Sequence, residues 1–336
     1  MKKACFIGDN KNRIDYVFSK ERIAMIKERV DLFDTIITHN NMEENKEILK
    51  DVEIAFGSWE MAILTKEEIE TYFPNLKIFF YAAGSVQRFG RPLLENGIRI
   101  ANAGPAMAYH VAQFALSLII LLSKGAFFAS DNYKKMGWHA SRDVTFTKYP
   151  GLYDKTKIGI LGVGRIGTDL INYLKPFDVE ILAYDPFLTE DRAKELNITK
   201  TTLEDVFKRS QVISNHIANN KHTQGILDYS LFSLMKDNAA FINTGRGAQV
   251  VEEDLARVMR EKPGCYSVLD VTTVEPYPED GVLRSVDNIK ILPHIAGYAA
   301  SEVNTLTDCV IRQLDDYLVN KPLDNEIKIE MLETMA

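Results

Sequence analysis

Short apolar runs alternate with longer amphipathic stretches along most of the chain. In the first hundred residues the runs predict strands at 3–8, 34–38, 53–57, 76–81 and 98–101. Helical patterns at 16–30 and 42–50 lie between them. Strands that alternate with helices are typical of βα units around a parallel sheet. The pattern therefore predicts an α/β fold for this part of the chain.

A second series of βα units begins at residue 157. Its predicted strands are 157–162, 180–184, 212–216, 240–243, 266–270 and 290–292. A long apolar helix at 106–124 and a polar loop at about 130–155 precede this series, and an amphipathic helix at 301–318 and a short tail follow it. The whole pattern predicts two doubly wound parallel-sheet domains with a ligand cleft between them.

Composition narrows the classes of partner and compartment. A chain of 336 residues has room for two domains, and a formal net charge of -7 argues against a nucleic-acid partner. The longest apolar stretch, 114–122, is interrupted by Ser117 and is too short to span a bilayer. No secretory signal is visible, and the three cysteines form no C-x-x-C pair. We expect a cytoplasmic protein that has free thiols, no metal site and no membrane partner.

A glycine-rich turn follows the first strand of the second series. Its sequence is G-V-G-R-I-G, it opens the helical run 166–174, and the next strand ends in Asp185. This context is typical of a dinucleotide site, in which the turn and the helix N-terminus bind the pyrophosphate and the acidic residue binds the ribose hydroxyls. Because Asp185 would repel a 2′-phosphate, NAD is preferred over NADP. The alternative is a glycine-rich turn with no ligand. The predicted contacts are Gly162, Gly164, Arg165, Ile166, Gly167 and Asp185.

Three further motifs follow later strands, where α/β sheets place their ligands. The first, N-T-G-R-G, sets Arg246 between two glycines, a poor position for a core residue and a good one for gripping a carboxylate. The second begins at Asp270 and ends in Glu275-Pro276. The third is P-H-I-A-G, which contains His294.

In these motifs, and in their order and spacing, the chain resembles the D-isomer-specific 2-hydroxyacid dehydrogenases from about residue 104 to residue 297. The resemblance implies a Rossmann NAD-binding domain at 103–298. It also implies a flavodoxin-like substrate domain made of 1–102 and 299–336. Hinges would lie near Asn102 and Tyr298. A homodimer through the 106–124 helix and the loop after it is also implied.

The resemblance also implies residue roles. Arg246 would bind the substrate carboxylate, His294 would be the general acid or base, and Glu275 would hold the far ring nitrogen of His294. Each has a structural alternative, such as a surface histidine or a loop carboxylate. Further cofactor contacts would come from His216, Thr244, Gly245 and Asp270.

Two segments depart from the family pattern. Gly84 and Ser85 are expected to face the substrate, but the Asp-Asn that usually follows such glycines is missing, and Arg88 stands nearby. After His216, Ala218 occupies a position where the family usually has proline. The altered segments leave the substrate acid open.

The leading hypothesis is hydride transfer between NAD(H) and a small 2-hydroxy or 2-keto acid. A related formate dehydrogenase would carry Gln where this chain has Glu275, so that residue counts against it. An NAD-sensing binding protein, like the corepressors built on this fold, is the alternative from another class. The catalytic motifs by themselves do not exclude it.

Overall fold

The computed structural model of the chain describes residues 1–333, so the last three residues of the predicted 299–336 segment lie outside the described residues. Two compact units are formed. Among the described residues, the first contains Met1–Met107 and 298–333, and the second is Ala108–Gly297.

The first unit is built on parallel strands that are almost completely buried. They are β1 (Lys3–Phe6), β2 (Asp31–Leu32), β3 (Ile54–Gly57), β4 (Ile78–Tyr81) and β5 (Arg99–Asn102). The helices between them are α1 (Lys11–Val17), α2 (Lys20–Lys27), α3 (Lys46–Leu49), α4 (Lys66–Tyr72) and α5 (Gly90–Glu95). The strand order β5-β4-β3-β1-β2 is that of a flavodoxin-like sheet, which confirms the predicted fold of this unit.

Three local predictions in this unit are wrong. The helix predicted at 16–30 is two helices, because the side chain of Ser19 caps α2 by accepting from Arg22 N at 3.4 Å. The strand predicted at 34–38 is only an isolated bridge between Ile7 and Ile37. The helix predicted at 42–50 is reduced to the single turn of α3. The spacing of hydrophobic residues alone does not show where a helix is interrupted or where a strand fails to pair.

Helix α6 (Gly104–Ser123) leads from the first unit into the second. It is longer than the apolar stretch at 114–122 suggested, and by length and composition it could cross a membrane. Half of the apolar part of this helix is buried, however, and Ala112, Ala115 and Ile119 pack in the core of the second unit. A core helix passes the same test of length and composition.

The prediction of a loop at 130–155 is wrong over most of this segment, because α7 (Ala126–Lys148) occupies it, with a kink at Gly137. Only Ser141 is buried in this helix. Arg142 lies over the rings of Trp138 and Phe146, at 5.2 and 4.3 Å from their centroids. A helix with scattered, exposed apolar side chains has no hydrophobic stripe for a sequence pattern to detect.

The second unit has a seven-stranded sheet. Its strands are β6 (Thr156–Leu161), β7 (Val179–Tyr184), β8 (Thr199–Lys200), β9 (Val212–Asn215), β10 (Ala240–Asn243), β11 (Tyr266–Leu269) and β12 (Ile289–Ile291). Its remaining helices are α8 (Arg165–Leu174), α9 (Glu190–Leu196), α10 (Leu203–Arg209), α11 (Tyr229–Phe232) and α12 (Glu252–Glu261). The order β12-β11-β10-β9-β6-β7-β8 reverses direction between β6 and β9. This is the Rossmann arrangement, and ligands bind at the carboxyl ends beside such a reversal. The predicted doubly wound fold is confirmed.

The chain then returns to the first unit. A 3-10 turn (Ala300–Val303) leads into α13 (Asn304–Leu318), and the short tail after this helix, for which no strand was predicted, forms β13 (Glu326–Ile327). This strand pairs antiparallel with β5, and Arg99 holds Glu326 through two hydrogen bonds of 3.0 and 2.7 Å. A two-residue strand is too short to leave a periodic signal.

Candidate active site

The glycine-rich turn between β6 and α8 has the shape of a dinucleotide cradle. Gly162 has φ +87°, and a Cβ there would lie 2.7 Å from the carbonyl oxygen of His216. A Cβ on Gly167 would lie 2.1 Å from the carbonyl oxygen of Gly162, whereas one on Gly164 would meet nothing within 4 Å. The turn is therefore tightly packed on the inside and open at Gly164. Helix α8 begins at Arg165 without a side-chain cap, so its first N–H groups are available to an anion. These residues fit a pyrophosphate.

Asp185 follows β7 and stabilises the same turn. One carboxylate oxygen accepts a hydrogen bond from Val163 N and the other from Phe187 N, both at 2.8 Å. A carboxylate oxygen has two lone pairs, so each oxygen can still accept from a ribose hydroxyl. The predicted ribose contact is thus also a support of the glycine-rich turn, which the sequence pattern did not indicate.

His216 and Thr244 lie together at the ends of β9 and β10. The ring of His216 is hydrogen-bonded to Ser214 Oγ at 2.9 Å through Nε2 and to Thr244 Oγ1 at 3.2 Å through Nδ1. Desolvation by burial lowers the pKa of His216 to about 3. The ring is therefore neutral near pH 7 and suits the lining of a binding site better than acid–base chemistry.

Asp270 organises the loop that follows β12. Its side chain is buried, and its two oxygens accept from Ile295 N at 2.8 Å and Ala296 N at 2.9 Å. Its carbonyl oxygen accepts from His294 N at 3.0 Å. The resemblance assigned Asp270 to the cofactor, and that contact stays a prediction. What the contacts in the structure add is that this residue holds the backbone around His294.

His294 and Glu275 form a hydrogen-bonded pair, with Nδ1 of the histidine 2.8 Å from Oε2 of the carboxylate. The other glutamate oxygen accepts from Thr272 N at 3.3 Å. An ionised carboxylate only accepts, so the ring proton sits on Nδ1 and Nε2 stays free to hold or release a proton. Both residues line a cavity of about 680 Å³, so the pair is accessible to a small molecule.

Arg246 follows β10 and is mostly buried. Burial lowers the pKa of its guanidinium, and the nearby charge of Glu275 opposes that shift. Arginine remains charged at any working pH, so the site holds a desolvated cation. Its Nη1 donates to the Gly245 carbonyl oxygen at 2.7 Å, and within residues 1–333 no carboxylate forms an ion pair with it. Such a cation is suited to binding an anionic ligand.

Gly84 and Ser85 belong to the first unit and follow β4. The carbonyl oxygen of Gly84 accepts from the side chain of Asn102, which also accepts from Gly104 N at 3.1 Å. In the part of the chain that the structure describes, no protein group accepts from the backbone N–H groups of Gly84 and Ser85. The loop thus offers donors for an anion although the usual Asp-Asn is missing. Asn102, at the end of β5, supports it and was not predicted to do so.

Arg246, Glu275 and His294 follow three neighbouring strands, β10, β11 and β12, so the structure brings the predicted catalytic residues of the second unit to one edge of its sheet. Trp59, which follows β3, is half-buried in the first unit. It stacks on Tyr298 with ring centroids 4.4 Å apart.

Residues 116–296 match the family described as "D-isomer specific 2-hydroxyacid dehydrogenase, NAD binding domain". The chain is 25% identical over 261 residues to D-3-phosphoglycerate dehydrogenase of Archaeoglobus fulgidus, an alignment that covers 77% of this chain and 48% of that protein. It is 28% identical over 236 residues to the human glyoxylate reductase/hydroxypyruvate reductase, covering 70% of this chain and 71% of that protein. A phosphoglycerate oxidoreductase from Rhizobium etli shares the fold, with a TM-score of 0.79 and 23% identity over 98% of this chain and 99% of that one. The chain spans about half the length of the first phosphoglycerate dehydrogenases that it matches.

Proposed function

The chain belongs to the D-isomer-specific 2-hydroxyacid dehydrogenase family, and on that premise we propose that it transfers a hydride between NAD(H) and a small 2-hydroxy or 2-keto acid. The observation that carries the proposal is the 2.8 Å contact of His294 with Glu275, whose charge also acts on the buried guanidinium of Arg246. A proton carrier and a desolvated cation at one sheet edge are the two groups that reduction of a keto acid requires of a protein.

The glycine-rich turn and Asp185 would hold the cofactor. The open backbone at Gly164 and the uncapped start of α8 support pyrophosphate binding there, and His216 and Thr244 would line the same site. When bound, NAD(H) supplies the hydride to C2 of the acid or takes it back. The carboxylate of Asp185 favours NAD over NADP, because a 2′-phosphate would meet a like charge.

The protein's own residues handle the rest of the reaction. Arg246 would hold the substrate carboxylate and polarise the C2 carbonyl. In reduction, His294 would give the proton on Nε2 to the C2 oxygen, and in oxidation it would take that proton back. Glu275 keeps the Nδ1 proton in place and stabilises the charged ring. We also propose that the backbone N–H groups of Gly84 and Ser85, for which residues 1–333 provide no acceptor, bind an anionic substrate group.

The test is loss of NADH absorbance across a panel of 2-keto acids, with His294→Gln and the exposed His222→Gln as a matched pair. We expect turnover with at least one acid. We also expect His294→Gln to lower kcat by at least about 100-fold, the usual contribution of general acid–base catalysis, with little change in the Kd for NADH. His222→Gln should keep full activity. Equal kcat in the wild type and in His294→Gln would refute the role of the histidine.

If the wild type binds NADH tightly but turns over no acid in the panel, the result would instead favour the NAD-sensing protein. The sequence retains every residue of the proposed catalytic set, so binding and turnover must be measured separately. Formate with NAD+ belongs in the same panel, and Glu275 leads us to expect no reaction with it.

We also propose a cytoplasmic homodimer, with 103–298 as the cofactor domain and the rest of the chain as the substrate domain. Exposed apolar side chains on α6 and α7 support the dimer, among them Leu121, Trp138 and Phe146. Light scattering after gel filtration should give twice the chain mass. Leu121→Glu should shift the population toward monomer, and a wild-type monomer would contradict the proposal.

A further inference from the structure

Three amide side chains form a buried hydrogen-bonded network beside the site just described. Asn215 and Asn243 are paired neighbours on β9 and β10, and Gln249 lies in the 3-10 turn that follows Arg246. All three are completely buried. Nδ2 of Asn215 donates both to Asn243 Oδ1 at 3.0 Å and to Gln249 Oε1 at 2.7 Å. The roles proposed above do not account for this network.

One end of the network holds the backbone of Arg246. Its carbonyl oxygen accepts from Asn243 Nδ2 at 3.1 Å, and its N–H donates to Gln249 Oε1 at 3.3 Å. Gly245 N donates to Asn243 Oδ1 at 3.0 Å. The network therefore binds both backbone polar groups of Arg246 and so fixes the position of the backbone that carries the guanidinium.

The other end holds the residue after His216. Ile217 N donates to Asn215 Oδ1 at 3.2 Å, and the Ile217 carbonyl oxygen accepts from Gln249 Nε2 at 2.6 Å. The next residue is Ala218, so no proline ring fixes the backbone φ there. The two hydrogen bonds to Ile217 therefore restrain this loop from the side of the network.

Burying amides is costly unless each is paired, and apolar side chains of similar size fill such space without that cost. A fully paired network, in contrast, rigidifies the groups that it joins. Here the joined groups are the backbone of the proposed substrate-binding arginine and the loop after a proposed cofactor-lining histidine.

We propose that Asn215 and Gln249 are positioning residues that fix Arg246 for the substrate carboxylate and, through Ile217, fix the loop beside the cofactor. The substrate half of this inference rests on the proposed function. The cofactor half needs only dinucleotide binding. Asn215 and Gln249 do not touch the reacting atoms, and they act through the two backbone segments that they join.

Ala218 allows the two ends to be tested separately. Its φ is negative, its carbonyl oxygen accepts from Thr223 Oγ1 at 2.8 Å, and within residues 1–333 its N–H has no protein acceptor. A proline there removes no hydrogen bond and restrains the loop covalently. It does nothing for the backbone of Arg246.

The experiment compares the wild type with Asn215→Leu/Gln249→Leu and with the same variant carrying Ala218→Pro. The double variant should raise the KM for the keto acid about tenfold, since small displacements of a binding group are costly. It should also weaken NADH binding several-fold in a fluorescence titration. Ala218→Pro should restore the NADH affinity and leave the KM raised.

Two further variants guard against a trivial result. Asn288 is another buried amide of the same unit, bonded to the carbonyl oxygens of Met259 and Cys265, both at 2.8 Å. Asn288→Leu should lower the melting temperature without changing KM or NADH affinity. Gln249→Met, which keeps the length of the side chain, carries the test if the double variant does not fold.

An unchanged KM and an unchanged NADH affinity in a folded double variant would overturn the proposal. So would an Asn288→Leu variant with the same kinetic losses, because they would then follow from destabilisation alone. If the wild type reduces no keto acid, the proposed function fails, but the NADH titrations still decide whether the network positions the loop.

Discussion

Asp270→Asn is the substitution whose effect the structure specifies most closely. Each oxygen of this buried carboxylate accepts one backbone N–H, from Ile295 at 2.8 Å and from Ala296 at 2.9 Å. Asparagine keeps one of these hydrogen bonds and turns an NH2 group toward the other N–H. One charge-assisted bond is lost and a buried donor is left unpaired, a cost of about 3 kcal/mol.

The consequence for activity follows from the neighbouring residue. His294 lies directly before these two N–H groups, and its own N–H is bonded to the Asp270 carbonyl oxygen at 3.0 Å. A displacement of the loop moves the imidazole away from its productive position, which costs on the order of a hundredfold in kcat. The same change should lower the urea midpoint of unfolding by about 1 M.

The assay combines urea unfolding, followed by circular dichroism, with steady-state kinetics on the same preparations. Asp191→Asn is the matched control, because the side chain of Asp191 is 98% exposed and the change should affect neither quantity. A wild-type midpoint together with wild-type kcat in Asp270→Asn would refute this reasoning. Lost activity at an unchanged midpoint would instead favour the direct cofactor contact that the resemblance implies.

The other predictions concern the cofactor and the pH dependence of stability. Asp185→Ala should weaken NADH binding and narrow the gap between NADH and NADPH, and an unchanged ratio of the two Kd values would contradict the argument from charge. Burial lowers the pKa of His216 to about 3. At pH values between the ordinary histidine pKa and this lowered pKa, His216 is therefore protonated in the unfolded chain but neutral in the folded chain. The free energy of unfolding should therefore fall as the pH drops through this range, and His216→Gln, measured by urea unfolding at several pH values, should remove that part of the slope. The hydrogen bond from Arg99 holds the pKa of Glu326 below its ordinary value. The ion pair therefore stabilises the folded chain at pH values above the ordinary carboxyl pKa, and this stabilisation is lost as the pH falls through the lowered pKa of Glu326. Glu326→Gln should cost about 1 kcal/mol at neutral pH and less in acid, and an equal cost at both would rule out the ion pair as the cause.

The sequence by itself determined the fold class and was enough to predict the residues of the proposed catalytic set. The central strands of both sheets consist largely of apolar residues because parallel strands are buried on both faces, so an apolar run indicates where each strand lies. The residues that follow those strands must lie at one edge of a sheet. Arg246, Glu275 and His294 could therefore be chosen from their motifs and are found on neighbouring strands.

Elements without a periodic signal were decided by tertiary structure. Helix α7 exposes apolar side chains such as Trp138, and β13 consists of only two residues that pair with β5. Nothing in the local sequence distinguishes such segments from loops, because their contacts lie elsewhere along the chain.

The residues that support the backbone of the site were likewise decided by tertiary structure. Asn215 and Gln249 are separated by 34 positions in the chain, and Asp270 bonds to backbone groups 25 and 26 residues away. A motif reports which residue types recur near a ligand. Which backbone groups a buried amide or carboxylate holds is determined only when the strands are side by side, since hydrogen bonds depend on distance in space and not on separation in sequence.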